Sequence, residues 1–255
     1  MDLHFEVYGQ GEPLIVLHGL FGSLGNWRSI STRLAQRFRV FALDQRNHGG
    51  SPHSLEMDYS SMAEDVCQIM DVHKLAEAAV LGHSMGGKTA MQLALLRPER
   101  VRKLVVVDMA PRAYPPWHEK ILAGMLSLDL SLYKSRQEME TALAPAVPNI
   151  STRQFLLKNV ERQLNGGLRW KIGLEEIKQN YHRLREAIIS DHSFERPALF
   201  IHGEKSDFFL ESDLGPIKRL FPRVLFQTIP GAGHLVHIEN VEAFLASVIN
   251  FLQDL

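Results

Sequence analysis

Ala79-Val80-Leu81-Gly82-His83-Ser84-Met85-Gly86-Gly87-Lys88 decides the fold. A short apolar run enters Gly-x-Ser-x-Gly, and a helix-forming stretch, Met85 to Leu96, leaves it. That spacing suits a serine on a sharp turn between a strand and a helix. The two glycines permit close chain approach and a strained backbone. The helix start then offers N–H groups to a developing oxyanion. Three fixed positions at about 7% each give about 0.1 chance matches in a chain of this length. The specificity therefore comes from the strand before and the helix after, and Ser84 is the candidate nucleophile.

Working outward, short β-rich runs alternate with helical periodicity. Phe5 to Gly9 and Leu14 to His18 are expected strands around the turn Gly9-Gln10-Gly11. Asn26 to Gln36 carries Trp27, Ile30 and Leu34 at helical spacing. Arg39 to Leu43 is an expected strand, and Tyr59 to Asp71 an expected helix. Lys103 to Val107 is an expected strand, continuously apolar from Leu104 onward, as in a sheet covered on both faces. Such alternation argues for a parallel α/β sheet. It stops between Pro111 and Pro197, where helices are expected over 119–128, 135–143, 152–163 and 174–189. Strands resume at Ala198 to Ile201 and Val224 to Thr228, and a last helix spans Val241 to Leu252. The expected organisation is one α/β domain, residues 1–110 and 197–255, interrupted by a helical cap over 111–196.

The 255 residues include 28 Lys plus Arg and 29 Asp plus Glu, a net charge of -1. That is no electrostatic footprint for nucleic acid or an anionic membrane. The single cysteine, Cys67, excludes an intrachain disulfide and Cys-based zinc sites, and its apolar helical setting predicts a buried thiol. Met1 to Pro13 lacks the pattern of a signal peptide. No apolar run approaches the roughly 18 residues of a membrane span. A cytoplasmic protein without stable membrane insertion is the expectation. His48, His53, His73 and His83 show no metal-ligand spacing, so no metal or other cofactor is expected.

Two loops complete the chemistry around Ser84. His18-Gly19-Leu20-Phe21-Gly22 follows an early strand, where such an architecture draws its second oxyanion donor. Leu20 and Met85 are the expected donors. Gly231-Ala232-Gly233-His234 follows the last strand, at the sheet edge where a general base must stand to reach the serine. His234 is the candidate base. His237 is its nearest rival, with packing or surface exposure as its expected role.

These residues carry a family. His18-Gly19-Leu20-Phe21-Gly22-Ser23, Asp44-Gln45-Arg46-Asn47-His48-Gly49, Gly82 to Lys88 and Gly231 to His234 stand in the order found in α/β-hydrolases. Over essentially its full length the chain resembles that superfamily, and within it the YbfF-type bacterial esterases and their mitochondrial abhydrolase relatives. The resemblance implies a serine hydrolase with an α/β-hydrolase fold: a mostly parallel sheet, flanking helices and a helical cap. With a core this small, few decorations and a short leading sheet edge are expected.

The acid has two candidates. The superfamily commonly places it three residues past a glycine after the strand that follows the cap. Gly203-Glu204-Lys205-Ser206-Asp207 puts Ser206 there and Asp207 one residue late. Asp108 ends the apolar strand Val105-Val106-Val107, where a carboxylate needs a partner such as an imidazolium. The esterase branch also implies an acid at that strand end. Asp108 is preferred, with Asp207 the alternative.

The expected activity is hydrolysis of small to medium acyl or aryl esters through an acyl-serine. A serine at the elbow argues against haloalkane dehalogenase and epoxide hydrolase chemistry, which uses a carboxylate there. Thioesterase or amidase chemistry can use the same groups. A slow-turnover or non-catalytic small-molecule-binding protein on this fold is the alternative from another class. An interfacial lipase is disfavoured by the lack of a basic amphipathic helix. Apolar residues of the insertion, among them Ile121, Leu122, Met125 and Phe155, are expected to divide between core and substrate pocket.

Overall fold

The computed structural model describes residues 1–164 and 166–253, so Asn165, Asp254 and Leu255, which fall within the expected cap and core ranges, lie outside the described residues. The strands are β1 (Phe5–Tyr8), β2 (Glu12–Leu17), β3 (Phe38–Leu43), β4 (Ala78–His83), β5 (Val101–Val107), β6 (Val160–Arg162), β7 (Leu168–Trp170), β8 (Ala198–Gly203) and β9 (Val224–Ile229). Seven of them form one sheet in the order β1-β3-β2-β4-β5-β8-β9. β1 runs antiparallel to β3, and the remaining neighbours pair in parallel. It is four residues long, the short leading edge expected of so small a core.

The helices are α1 (Leu24–Leu34), α2 (Tyr59–Val72), α3 (Met85–Leu96), α4 (Glu119–Leu126), α5 (Arg136–Leu143), α6 (Ile150–Leu156), α7 (Leu174–Arg185), α8 (Leu214–Leu220), α9 (Val236–Glu239) and α10 (Val241–Gln253). Strand residues alternate between the two faces of the sheet, as the period of two demands. Val80, Leu104 and Val106 pack on the side of α2 and α3 with Met70 and Met91. Leu81, Val105 and Val107 pack on the other side with Trp27 of α1 and Phe244 and Val248 of α10. Both faces are covered, which is why the second half of β5, Leu104 to Val107, reads as an unbroken apolar run. Cys67 is a buried free thiol. Among the described residues no helix is long and apolar enough to cross a membrane.

Between β5 and β8 the chain leaves the sheet. α4 to α7 lie in this segment, but it is not wholly helical. The helix expected over 152–163 ends at Leu156, and β6 pairs antiparallel with β7 from Val160↔Trp170 to Arg162↔Leu168. The reason is local: Leu168-Arg169-Trp170 alternates apolar and charged with period two, and Gly166-Gly167 before it supplies turn residues. The helix expected over 174–189 ends at Arg185, with Glu186 already extended at ψ 157°. Its last carbonyls are taken by other groups, Leu184 O by Tyr59 Oη (2.7 Å) and Arg185 O by the Tyr114 N–H (2.8 Å).

Candidate active site

The loops at the carboxyl ends of the parallel strands converge on one cavity, the usual site in open α/β sheets. Ser84 stands between β4 and α3 at φ 53°, ψ -119°, a backbone conformation that costs about 1–3 kcal/mol in a non-glycine residue. Its surroundings impose it. The Ser84 N–H donates to Val107 O of the neighbouring strand (3.1 Å), and Ser84 O accepts from the Lys88 N–H (3.1 Å). The elbow closes only because two side chains are missing. A Cβ on Gly82 would lie 2.0 Å from Gly86 O, and one on Gly86 2.5 Å from Leu17 O.

Asp108 directly follows β5, also with positive φ (51°), and is fully buried. Its N–H donates to Ile201 O (2.7 Å), which ties it to β8. Its Oδ1 accepts from the Gly203 N–H (3.0 Å), and its Oδ2 accepts from His234 Nδ1 (2.6 Å) and from the Ser206 hydroxyl. The carboxylate is therefore fully partnered, as a buried charge must be. With Nδ1 so engaged, the imidazole keeps Nε2 for the cavity. Asp207, the alternative acid, is exposed at the surface.

His234 is held from three sides. Phe208 stacks on its ring at 3.6 Å between centroids and 17°. His83 Nε2 donates to His234 O (2.9 Å), and Asp108 fixes the ring edge. His237 is buried and stacks on Trp27 at 4.1 Å, the packing role expected of it. Burial, with His234 nearby, pushes its imidazole down to about 3. His83 is held neutral in the same way, well below the ordinary histidine range.

The loop carrying Leu20 is rigid for reasons that its sequence motif does not reveal. Gly22 N–H turns back to Gly19 O (2.9 Å). His18 Nδ1 donates to Gly19 O (2.8 Å) while its Nε2 accepts from the Gln45 N–H (3.0 Å). His48 Nδ1 donates to Arg46 O (2.9 Å) while its Nε2 accepts from the Phe21 N–H (3.3 Å). Both rings are neutral donors and acceptors, and burial pushes His48 down to about 3. The Asp44 to Gly49 block is thus the floor of the loop. A Cβ on Gly19 would lie 3.1 Å from Ser84 Cβ, so the loop abuts the serine. Met85 opens α3, where the first N–H groups of a helix lack partners within it.

The cavity has a volume of about 470 Å³, and Ser84, His234, Leu20, Phe208 and His118 line it. The segment between β5 and β8 contributes His118, Ile121, Phe155 and Leu156. A smaller cavity of about 40 Å³ shares Leu20, Ser84, His118 and Phe208 with it, and adds Met85, Tyr114, Trp117 and Leu184. His118 spans both. Tyr181 Oη accepts from the His118 N–H (2.9 Å) and donates to its Nδ1 (3.2 Å), and burial, with His234 adding, pushes this imidazole down to about 4. Sequence reasoning assigns no role to Ser206, Phe208 or His118. Of the three, Ser206 carries a signal, since it occupies the position where the superfamily's acid is usual.

The arrangement offers a strained serine and a carboxylate-oriented imidazole lining one chamber, with the start of a helix directly after the serine, which is the equipment of acyl transfer. Comparison with known proteins agrees with the architecture. Esterase YbfF of Escherichia coli is 32% identical over 95% of this chain and 93% of its own. The sn-1-specific diacylglycerol lipase ABHD11 of Xenopus tropicalis is 38% identical over 99% of this chain and 82% of its own. A solved marine microorganism esterase superposes with a TM-score of 0.95 at 43% identity, over 98% of this chain and 99% of that one. Residues 12–241 match the family model described as alpha/beta hydrolase fold, and the chain belongs to that family.

Proposed function

We propose that this protein is a serine carboxylic ester hydrolase acting on small to medium acyl or aryl esters. In this reading Ser84 is the nucleophile, His234 the general base and acid, Asp108 the orienting acid, and the Leu20 and Met85 N–H groups the oxyanion donors. Residues 111–196 act as a cap over a core of residues 1–110 and 197–255. The observation that carries the reading is the His234 Nδ1–Asp108 Oδ2 contact of 2.6 Å beside a chamber that Ser84 lines.

The reaction runs in two halves. Ser84 Oγ forms a bond to the ester carbonyl carbon as its proton passes to His234 Nε2. The carbonyl oxygen becomes an oxyanion between the two N–H groups, each worth about 3–4 kcal/mol in such a site. Asp108 stabilises the imidazolium through Nδ1. The carbon–oxygen bond to the alcohol breaks, and that oxygen takes the proton from Nε2. Water then repeats the sequence on the acyl-serine and releases the carboxylic acid. The names of the relatives, an esterase and a glycerolipid lipase, support ester chemistry. A fluorophosphonate probe should label the protein and aryl esters should turn over, with both lost in Ser84→Ala. Absence of labelling and of turnover in the unaltered protein sinks the reading.

A further inference from the structure

The two cavities meet at Ser84 and differ about tenfold in volume, about 470 Å³ against about 40 Å³. An ester has two arms, so the serine can act only if one arm enters each. His234 decides which. It lines the large cavity but not the small one, and its Nδ1 is committed to Asp108. The proton for the departing alcohol must come from Nε2, so the alcohol lies on the large side. Met85 lines the small cavity and not the large one, which sets the carbonyl and its acyl arm on the small side.

We infer, resting on the serine esterase reading, that the substrate is a short-acyl ester of a large apolar alcohol. At about 10–15 Å³ of such cavity space per water molecule, the small cavity holds about three water-sized groups, so it accommodates a two- to four-carbon acyl chain. Tyr114, Trp117 and Leu184 wall it. The large cavity is in the size range of whole small-molecule sites, and Ile121, Phe155, Leu156 and Ile238 make it a chamber for a hydrocarbon or aryl group. Acyl transfer is as already balanced: the alcohol leaves with the serine proton, and water releases the short acid. An acyl chain of eight carbons has no room on the small side.

The isomers octyl acetate and ethyl octanoate test this directly. They share one molecular formula and carry unactivated alkyl leaving groups, and they exchange which arm is long. Since one misplaced methylene is worth about 10–200-fold in a fitted pocket, octyl acetate should exceed ethyl octanoate by at least about tenfold in kcat/KM. Equal rates, or a preference for ethyl octanoate, overturn the assignment while fluorophosphonate labelling leaves the esterase reading standing. No hydrolysis of either isomer together with no labelling overturns both. Trp117→Ala sharpens the test. Trp117 is 44% exposed and packs edge-on to Phe208 at 4.8 Å, so its removal opens the small cavity outward. The ratio should narrow about fivefold, through a gain on ethyl octanoate. An unchanged ratio in a folded variant shows that the acyl chain does not enter there.

Discussion

Ser84, Asp108 and His234 on one side and residues 111–196 on the other are fixed in place by different means. The first group hangs on main chain: Ser84 and Asp108 have positive φ, and their N–H groups donate to Val107 O and Ile201 O of adjacent strands. The intervening segment is built from helices of 7–12 residues, too short to persist alone. Individual side chains tie it down. Asn159 Nδ2 donates to Phe21 O (2.8 Å), Asn180 Nδ2 to Leu55 O (2.8 Å) and Tyr59 Oη to Leu184 O (2.7 Å). Groups proposed to react are thus positioned by the sheet, while groups that shape the chamber are positioned by latches. Substitutions in the first region should lower kcat, and substitutions in the second should move selectivity or stability.

The largest effect expected on the sheet side is Asp108→Asn. An amide cannot orient and charge-balance the imidazole, and comparable changes cost about 10⁴ in kcat. Asp207→Asn, at an exposed loop, should stay within about twofold of the unaltered protein. Turnover of an aryl acetate ranks the pair, and the reverse ranking transfers the acid role to Asp207. Next is Gly82→Ala, whose Cβ would meet Gly86 O at 2.0 Å, main chain that cannot yield without moving the elbow. A loss of about 3 kcal/mol or more is expected in urea denaturation, with any soluble fraction unable to take the probe. A stable, labelled Gly82→Ala protein would break the claim that backbone closure positions the serine.

The same division explains which features are legible in the amino-acid sequence. Strands and the elbow are legible because their constraints are local: short apolar runs in β4 and β5, glycines where a Cβ clashes, a histidine on a loop past a strand. Asp108 is legible because a carboxylate ending Val105-Val106-Val107 must be buried and must have a partner. The role of Arg46-Asn47-His48-Gly49 is not, because it consists of tertiary contacts, the His48 and His18 rings bonding main chain 27 residues away. In the sequence Ser206 merely fills the acid's usual place without supplying an acid. In the fold its hydroxyl contacts the Asp108 carboxylate just past another strand. The segment 111–196 is least legible. Its helix ends are set by partners on other elements, as at Arg185, and the three-residue alternation of β7 competes poorly with flanking helical patterns.

Lys88 joins the two regions and gives a pH-dependent test. It sits on α3, is fully buried, and its ammonium donates to Glu186 O at the end of α7. Tyr59 and Tyr114 flank it at 5.5 and 5.0 Å. Burial pushes the amine down to about 7, Arg112 pushes the same way, and Glu186 opposes them. In the unfolded chain it keeps its proton to the ordinary lysine range. Between about pH 7 and 10 the unfolded state therefore binds more protons, and stability rises with pH. Below pH 7 the cost of the buried charge is fully present. Lys88→Met lacks this dependence. The stability of the unaltered protein relative to the variant should climb by about 1–3 kcal/mol from pH 7 to 9.5. A flat difference across that range shows that the folded protein keeps Lys88 charged throughout, and that the latch does not titrate.

Tyr59→Phe is the gentlest probe of the same joint, and the one that best separates the two regions. The ring stays in the core beneath Lys88, and only the donor to Leu184 O is lost. Leaving that carbonyl short of a buried partner should cost about 1 kcal/mol, read as a lower urea midpoint with an unchanged slope. Because α7 also walls the small cavity through Leu184, the octyl acetate to ethyl octanoate ratio should soften by about twofold. The kcat on octyl acetate should hold, since no group on the sheet edge has moved. A fall in kcat of tenfold or more would mean that the latch also fixes the reacting groups. The sheet would then not position them independently of the segment above it.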